Sequence, residues 1–247
     1  SRDNDTAQAL LLIERLRGVS PDKALANQLT GTVYRRVGQY DKAITYYQDS
    51  LTIAPSAEAT HGLVEIYRQQ RQNDKAIALL RERIDGNPRD LLSAITLAEM
   101  HRELRQLDQA AAMYARLLAS YPENLVLLNN TAFVQLELGN LDEAVQLAER
   151  AHRGAPDSAD IIDTRGWIET QRGNYDGALG LLRQASALDF DNAGIKYHLA
   201  YTLDKLERHD EARQVIAQIS PAQMSGIIEQ DVFHAGLSQQ LVDGLNP

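Results

Sequence analysis

The fold is decided by stretches such as residues 38–55, which read GQYDKAITYYQDSLTIAP. This stretch holds a turn glycine, an aspartate, an alanine two residues later and a closing proline. Five prolines recur at intervals of 34, 33, 34 and 34 residues, at Pro21, Pro55, Pro88, Pro122 and Pro156. Two further series keep the same period: Ala9, Ala43, Ala76, Ala110, Ala144, Ala178 and Ala212, and Asp41, Asp74, Asp108, Asp142, Asp176 and Asp210. Three series in phase predict an array of one small repeated unit.

Each unit carries two apolar stripes with helical spacing. One stripe passes through Leu25, Leu29 and Val33, and the other includes Tyr47 and Leu51. The repeated aspartate stands just before the second stripe, where a carboxylate can accept hydrogen bonds from the free N–H groups of a helix N-terminus. No stretch shows the sustained polar and apolar alternation of a half-buried strand. We therefore predict an all-α fold.

Composition excludes several kinds of function. A net charge of −9 and a pI near 5.2 argue against nucleic acid, because such binding depends on basic surfaces that release counterions. No apolar run approaches the roughly 18 residues of a membrane span. The first residues lack the apolar core of a signal peptide. With no cysteine, the chain has no disulfides and no thiolate metal sites.

The sequence shows no catalytic motif. It has no glycine-rich phosphate loop, no G-x-S-x-G and no HExxH, and its six histidines lack the spacing of metal ligands. Glu58-x-x-His61 and Glu149-x-x-His152 resemble the paired ligands of di-iron bundles, but they lie on different helices, well apart along the array. We predict a protein that is not an enzyme and that needs no cofactor or metal.

The 34-residue helix–turn–helix closely resembles the tetratricopeptide repeat. The family's small residue in the first helix is matched by Gly31, Ala98, Ala132, Gly166 and Ala200, whereas Arg83 replaces a small residue late in a second helix. The resemblance implies a right-handed α-solenoid. We expect residues 1–22 to form the second helix of a truncated preceding repeat, and residues 221–247 to form capping helices. The six units within residues 23–220 are then 24–56, 57–90, 91–124, 125–158, 159–192 and 193–220.

The resemblance also implies that the first helix of each unit lines a concave binding groove. In units one to three its candidates form a cationic stripe, at Arg35, Arg68 and Arg102. The alternative role for these arginines is ordinary salt bridging to the glutamates beside them, Glu58, Glu65, Glu99 and Glu103.

In units four to six the candidates are polar and aromatic: Asn129, Asn130, Phe133, Asp163, Trp167, Tyr197 and Tyr201, with His198 beside them. Phe133, Trp167 and Tyr201 share one repeat position, so they could offer ring faces to a peptide or a sugar. Packing between repeats is the alternative role for this aromatic ladder.

Units four to six resemble a narrower group of proteins. The similarity lies in residues 122–133, which include Leu128-Asn129-Asn130, in Asp163-Thr164-Arg165-Gly166-Trp167, and in Ile195-Lys196-Tyr197-His198-Leu199-Ala200. These are similar to periplasmic arrays of bacterial exopolysaccharide systems, namely Pel-, poly-N-acetylglucosamine- and cellulose-type export porins and exosortase-linked lipoproteins. The resemblance implies a fragment of a longer periplasmic protein that docks a polysaccharide-modifying enzyme or a secretion component. Two alternatives stay open: direct guidance of the polysaccharide in the groove, and a generic cytoplasmic adaptor for peptides.

Overall fold

The structure, a computed structural model, describes residues 2–20 and 22–230. Within these residues it contains fourteen α-helices and no strand, which confirms the prediction of an all-α fold. The helices are α1 (Arg2–Val19), α2 (Lys23–Arg36), α3 (Tyr40–Ile53), α4 (Ala57–Gln69), α5 (Asn73–Gly86), α6 (Leu91–Glu103), α7 (Leu107–Ser120), α8 (Leu125–Glu137), α9 (Leu141–Gly154), α10 (Ala159–Gln171), α11 (Tyr175–Leu188), α12 (Ala193–Lys205), α13 (His209–Ile216) and α14 (Pro221–Gln230).

The chain divides into two compact units, Ser1–Met100 and His101–Pro247. In the first unit, α2 pairs with α3 and α4 with α5, while α1 packs on α2. In the second unit, α8 pairs with α9, α10 with α11 and α12 with α13. Each of these pairs is a helical hairpin. Following the repeat period of the sequence, we call α2, α4, α6, α8, α10 and α12 helix A, and α3, α5, α7, α9, α11 and α13 helix B.

Polar side chains fix where the helices begin. The Ser56 hydroxyl accepts a hydrogen bond from the Ala59 N–H of α4 at 3.1 Å, and the Asn124 side chain caps α8 by accepting from the Leu127 N–H at 3.0 Å. The repeated aspartate lies inside the first turn of helix B, as Asp41 does in α3. Its carboxylate there interacts favourably with the positive end of the helix dipole.

One residue in each turn between helix A and helix B has the left-handed backbone conformation. In three repeats this residue is a glycine: Gly38 with φ 75°, Gly139 with φ 82° and Gly173 with φ 82°. In three others it is Arg71 with φ 57°, Arg105 with φ 59° or Glu207 with φ 59°. A residue other than glycine at such a φ costs about 1–2 kcal/mol. The three turns that lack glycine are therefore strained.

Glycines in helix A let aromatic and aliphatic side chains approach closely. A Cβ added at Gly31 would lie 2.8 Å from Cδ1 of Tyr47, and one at Gly62 would lie 2.4 Å from Cζ of the same ring. Tyr47 is 1% exposed, so its ring fills the space between α2 and α4. In the second unit a Cβ at Gly166 would lie 2.7 Å from Cγ of Leu182. Glycine is required at these positions because side chains of neighbouring helices lie against the backbone there.

The last described hairpin is shorter than the others. Its second helix, α13, has 8 residues, whereas α11 has 14. Helix α14 follows and packs on α12, where Met224 and Ile227 join the cluster that buries Tyr197. Residues 231–247, which we expected to belong to the capping helices, lie outside the described residues.

Candidate functional site

In the first unit, the candidate Arg35 is engaged in an ion pair. Its guanidinium bonds the carboxylate of Glu65, and its Nε donates to the Tyr47 hydroxyl at 3.4 Å. The same hydroxyl lies 3.1 Å from Oγ1 of Thr32. Arg68, at the same repeat position in α4, is half-buried. The contacts of Arg35 support the salt-bridge alternative for this part of the stripe.

In the second unit, Arg102 meets a carboxylate and an aromatic ring. Its guanidinium carbon lies 5.1 Å from the ring centre of Phe133, and its Nη1 lies 3.7 Å from Oε2 of Glu137. Arg105 donates to the other oxygen of Glu137 at 2.6 Å. Burial raises the pKa of the Glu137 carboxyl, and the two arginines only partly oppose that rise. Two cations and one half-buried carboxylate thus connect α6, the following turn and α8.

Two asparagines precede Phe133 on α8. Asn130 donates from its side-chain nitrogen to the Tyr114 hydroxyl at 3.4 Å. Asn129 is half-buried, and its Oδ1 has no hydrogen-bond partner among the described residues. Phe133 is also half-buried and packs on the core of α8, α9 and α10. Together with Arg102, these side chains form a half-buried surface that we call the α8 patch (Arg102, Asn129, Asn130 and Phe133).

The remaining aromatic candidates are buried. Trp167 is 4% exposed, Tyr201 is 7% and Tyr197 is 1%. Trp167 meets Tyr201 edge to face, with ring centres 5.1 Å apart. Tyr197 contributes to a separate apolar cluster with Ile216 and Met224. Rings this enclosed have no open face for a sugar or a peptide, so their burial supports packing between repeats, the alternative raised for the aromatic ladder.

Asp163 and His198 form a contact that the sequence did not reveal. Nδ1 of His198 lies 2.9 Å from each carboxylate oxygen of Asp163, and both side chains are 13% exposed. The His198 ring also stacks on Trp167, with centres 4.2 Å apart and planes at 14°. The repeat spacing could have indicated this contact, because Asp163 and His198 are 35 residues apart, which is one 34-residue repeat plus one residue. This arrangement ties α10 to α12.

No group of three or more histidine, aspartate or glutamate side chains in the described part of the chain is placed to hold a metal ion. The His198 ring nitrogen Nδ1 bonds the Asp163 carboxylate, and the Thr202 hydroxyl donates to the His198 backbone carbonyl at 2.8 Å. Across residues 2–20 and 22–230, no helix is both long and apolar enough to cross a bilayer.

Comparisons with known protein families identify the repeats. One tetratricopeptide repeat model matches residues 1–58, 30–90 and 95–159, and a second tetratricopeptide repeat model matches residues 169–225. No curated protein matches the sequence.

Solved structures share the fold. A tetratricopeptide repeat protein from Parabacteroides merdae ATCC 43184 aligns over 98% of this chain and 92% of its own, with a TM-score of 0.74 and 13% identity. A chain of the APC/C hetero-tetramer Cut9–Hcn1 aligns over 100% of this chain and 47% of its own, with a TM-score of 0.67 and 17% identity. A thermophilic protein of the same repeat class from Thermus thermophilus aligns over 74% of this chain and 94% of its own, with a TM-score of 0.58 and 25% identity.

These likenesses show an all-α fold of helix–turn–helix repeats, the α-solenoid class. The family models add the sequence evidence, because their matched ranges together extend over most of the chain. This chain belongs to the tetratricopeptide repeat family.

Proposed function

We propose that this chain is a non-enzymatic scaffold that binds a protein partner through the α8 patch. Tetratricopeptide repeats typically act as protein-interaction scaffolds rather than as enzymes. The observation that carries the proposal is the contrast within the second unit. Trp167, Tyr197 and Tyr201 are buried, whereas the side chains of the patch remain half-buried at the surface.

The chemistry of the α8 patch suits a protein partner. Arginine and aromatic residues are enriched at protein interfaces, and the α8 patch places the Arg102 guanidinium over the Phe133 ring. The neighbouring side chains of Asn129 and Asn130 are half-buried, and amide groups can hydrogen-bond a peptide backbone. Arg35 and Arg68 share the repeat position of Arg102, and we propose them as contacts within their own unit. Asp163 remains a proposed contact at the rim, since it is half-buried beside His198.

We further propose that the partner is a polysaccharide-modifying enzyme or a secretion component in the bacterial periplasm. The support is the succession Leu128-Asn129-Asn130, Asp163 to Trp167 and Ile195 to Ala200, which resembles periplasmic exopolysaccharide arrays. Direct binding of the polysaccharide loses its main support, because it relied on accessible faces of Trp167 and Tyr201. A protein is therefore the preferred partner.

The test is recovery of partners from a bacterial envelope extract by the immobilised chain. Asn129→Ala removes a half-buried amide of the patch whose oxygen is buried and makes no hydrogen bond within the described residues, so the variant should keep its thermal midpoint. If the amide belongs to the binding surface, partner recovery should fall. Gln146→Ala, at an exposed position on helix B of the same hairpin, is the matched control and should recover the partner normally. Equal recovery by both variants would contradict binding through the α8 patch. Recovery of cytosolic chaperones alone would contradict the periplasmic location.

A further inference from the structure

The first unit contains a groove on its helix B side. The groove has a volume of about 840 Å³ and runs between α3 and α5, with α4 as its floor. The floor is apolar, because Leu63 and Tyr67 are buried there. Leu51 of α3 and Leu79 of α5 line the two walls and are half-buried. Three helices bound the groove, and the side opposite α4 is open to solvent.

An arginine in place of a small residue gives a physical reason for the groove. Arg83 occupies the late position of helix B that Ser50 and Ala151 fill in other repeats, where both are fully buried. The longer side chain takes up space that a small residue leaves for close packing, and α4 and α5 pack less tightly than α2 and α3. The Arg83 charge is neutralised within the unit, since its Nε lies 2.6 Å from Oδ2 of Asp90.

The groove wall on α5 has a charge at each end. Lys75 lies at one end, with its Nζ 5.5 Å from the ring centre of Tyr67. Glu82 lies seven residues later at the other end, about 10 Å further along the helix axis. Between them stand Ala78 and Leu79, so the wall is positive, then apolar, then negative. Lys75, Ala78 and Glu82 are all exposed.

We propose that this groove binds an amphipathic helix of a partner protein. The helix would face the groove with aliphatic residues three and four positions apart, an acidic residue opposite Lys75 and a basic residue about two turns away opposite Glu82. An open trough bounded by helices suits a helix, whereas a small ligand requires enclosure on most sides. The inference rests on the proposed role as a protein scaffold, but it uses different helices from the α8 patch.

A fluorescein-labelled synthetic peptide provides the probe. It is a capped 15-residue helix former with Glu at position 4, Leu at positions 7 and 8 and Lys at position 11. In anisotropy titrations we expect Ala78→Arg, which fills the groove, to weaken binding by about tenfold or more. Thr52→Arg on the opposite wall should do the same, and it guards against a folding defect in the first variant. Ala112→Arg is the matched control, because Ala112 is an exposed residue at the same repeat position on α7.

The charge pattern is tested by reversing one charge on the protein and the matching charge on the peptide. Lys75→Glu should weaken binding of the peptide by about three- to tenfold, and a peptide with Lys at position 4 should restore it. Three results would overturn the proposal: no saturable binding up to about 1 mM peptide, equal weakening by Ala78→Arg and Ala112→Arg, or binding of a small apolar dye in the groove without binding of the peptide. Asn129→Ala should leave peptide binding unchanged, so failure here and failure of the α8 patch are distinguishable.

Discussion

Truncating Trp167 to alanine measures how much this ring contributes to packing in the second unit. The side chain is 4% exposed and belongs to a cluster with Leu128 and Ile168, besides its contacts with His198 and Tyr201. Burying a tryptophan removes about 200 Å² from water, which at ~25 cal/mol per Å² corresponds to about 5 kcal/mol as an upper figure. Replacing a buried large aromatic by alanine typically costs about 3–5 kcal/mol. We expect Trp167→Ala to lower the free energy of unfolding by about 3–5 kcal/mol.

Urea unfolding followed by circular dichroism checks this expectation. Because repeats interact mainly with their neighbours, the loss should appear as earlier unfolding of the helices around α10 rather than of the whole chain. Phe190→Ala is the control, since Phe190 is an aromatic residue with 69% exposure and its truncation should cost far less stability than that of Trp167. An unchanged midpoint for Trp167→Ala, combined with lost partner recovery, would refute the packing role and make Trp167 a ligand contact.

Three further substitutions test the backbone, the packing and the electrostatics. Glu207→Gly should raise the free energy of unfolding by about 0.5–1 kcal/mol in urea titrations. Glycine removes the left-handed strain, and the larger conformational entropy that it gives the unfolded chain offsets only part of this gain. Gly62→Ala should cost about 1–3 kcal/mol through its clash with Tyr47, whereas Gly86→Ala, which meets no atom within 4 Å, should not destabilise; equal thermal midpoints would contradict this. Burial raises the folded-state pKa of Glu137, so its contribution to stability is present below its unfolded pKa and is lost as pH rises through the folded value. Stability of Glu137→Gln relative to wild type should therefore increase between pH 4 and pH 7, and a constant difference would show that the pKa is not raised.

Local features of this fold could be read from the sequence because they depend on a few adjacent residues. The turn glycines Gly38, Gly139 and Gly173 follow from the conformation that a helix end requires, and each has a positive φ. The same reasoning did not identify Arg71 or Glu207 as left-handed residues. Side chains there are tolerated only because packing of the two helices fixes the turn, and that packing is not a local property of the sequence.

The candidate site was less accessible to sequence reasoning. The repeat position places Phe133 and Trp167 in equivalent slots, yet one is half-buried and the other is enclosed. The difference arises on α12, where His198 and Tyr201 cover the indole ring, and no periodic pattern shows how far a neighbouring side chain reaches. Glu137 was missed for the same reason, because its burial and its two arginines come from separate helices and turns.

The short α13 has a consequence for how the chain opens. With 8 residues it forms few internal hydrogen bonds, and the turn before it carries the strained Glu207. Both features lower the free energy needed to separate α12 from α13 without affecting the hairpins before them. Backbone amides of α13 should therefore exchange with deuterium sooner than those of α9 or α11. We therefore expect the second unit to unfold in steps. Its last described hairpin should unfold and refold locally while the α8 patch stays folded.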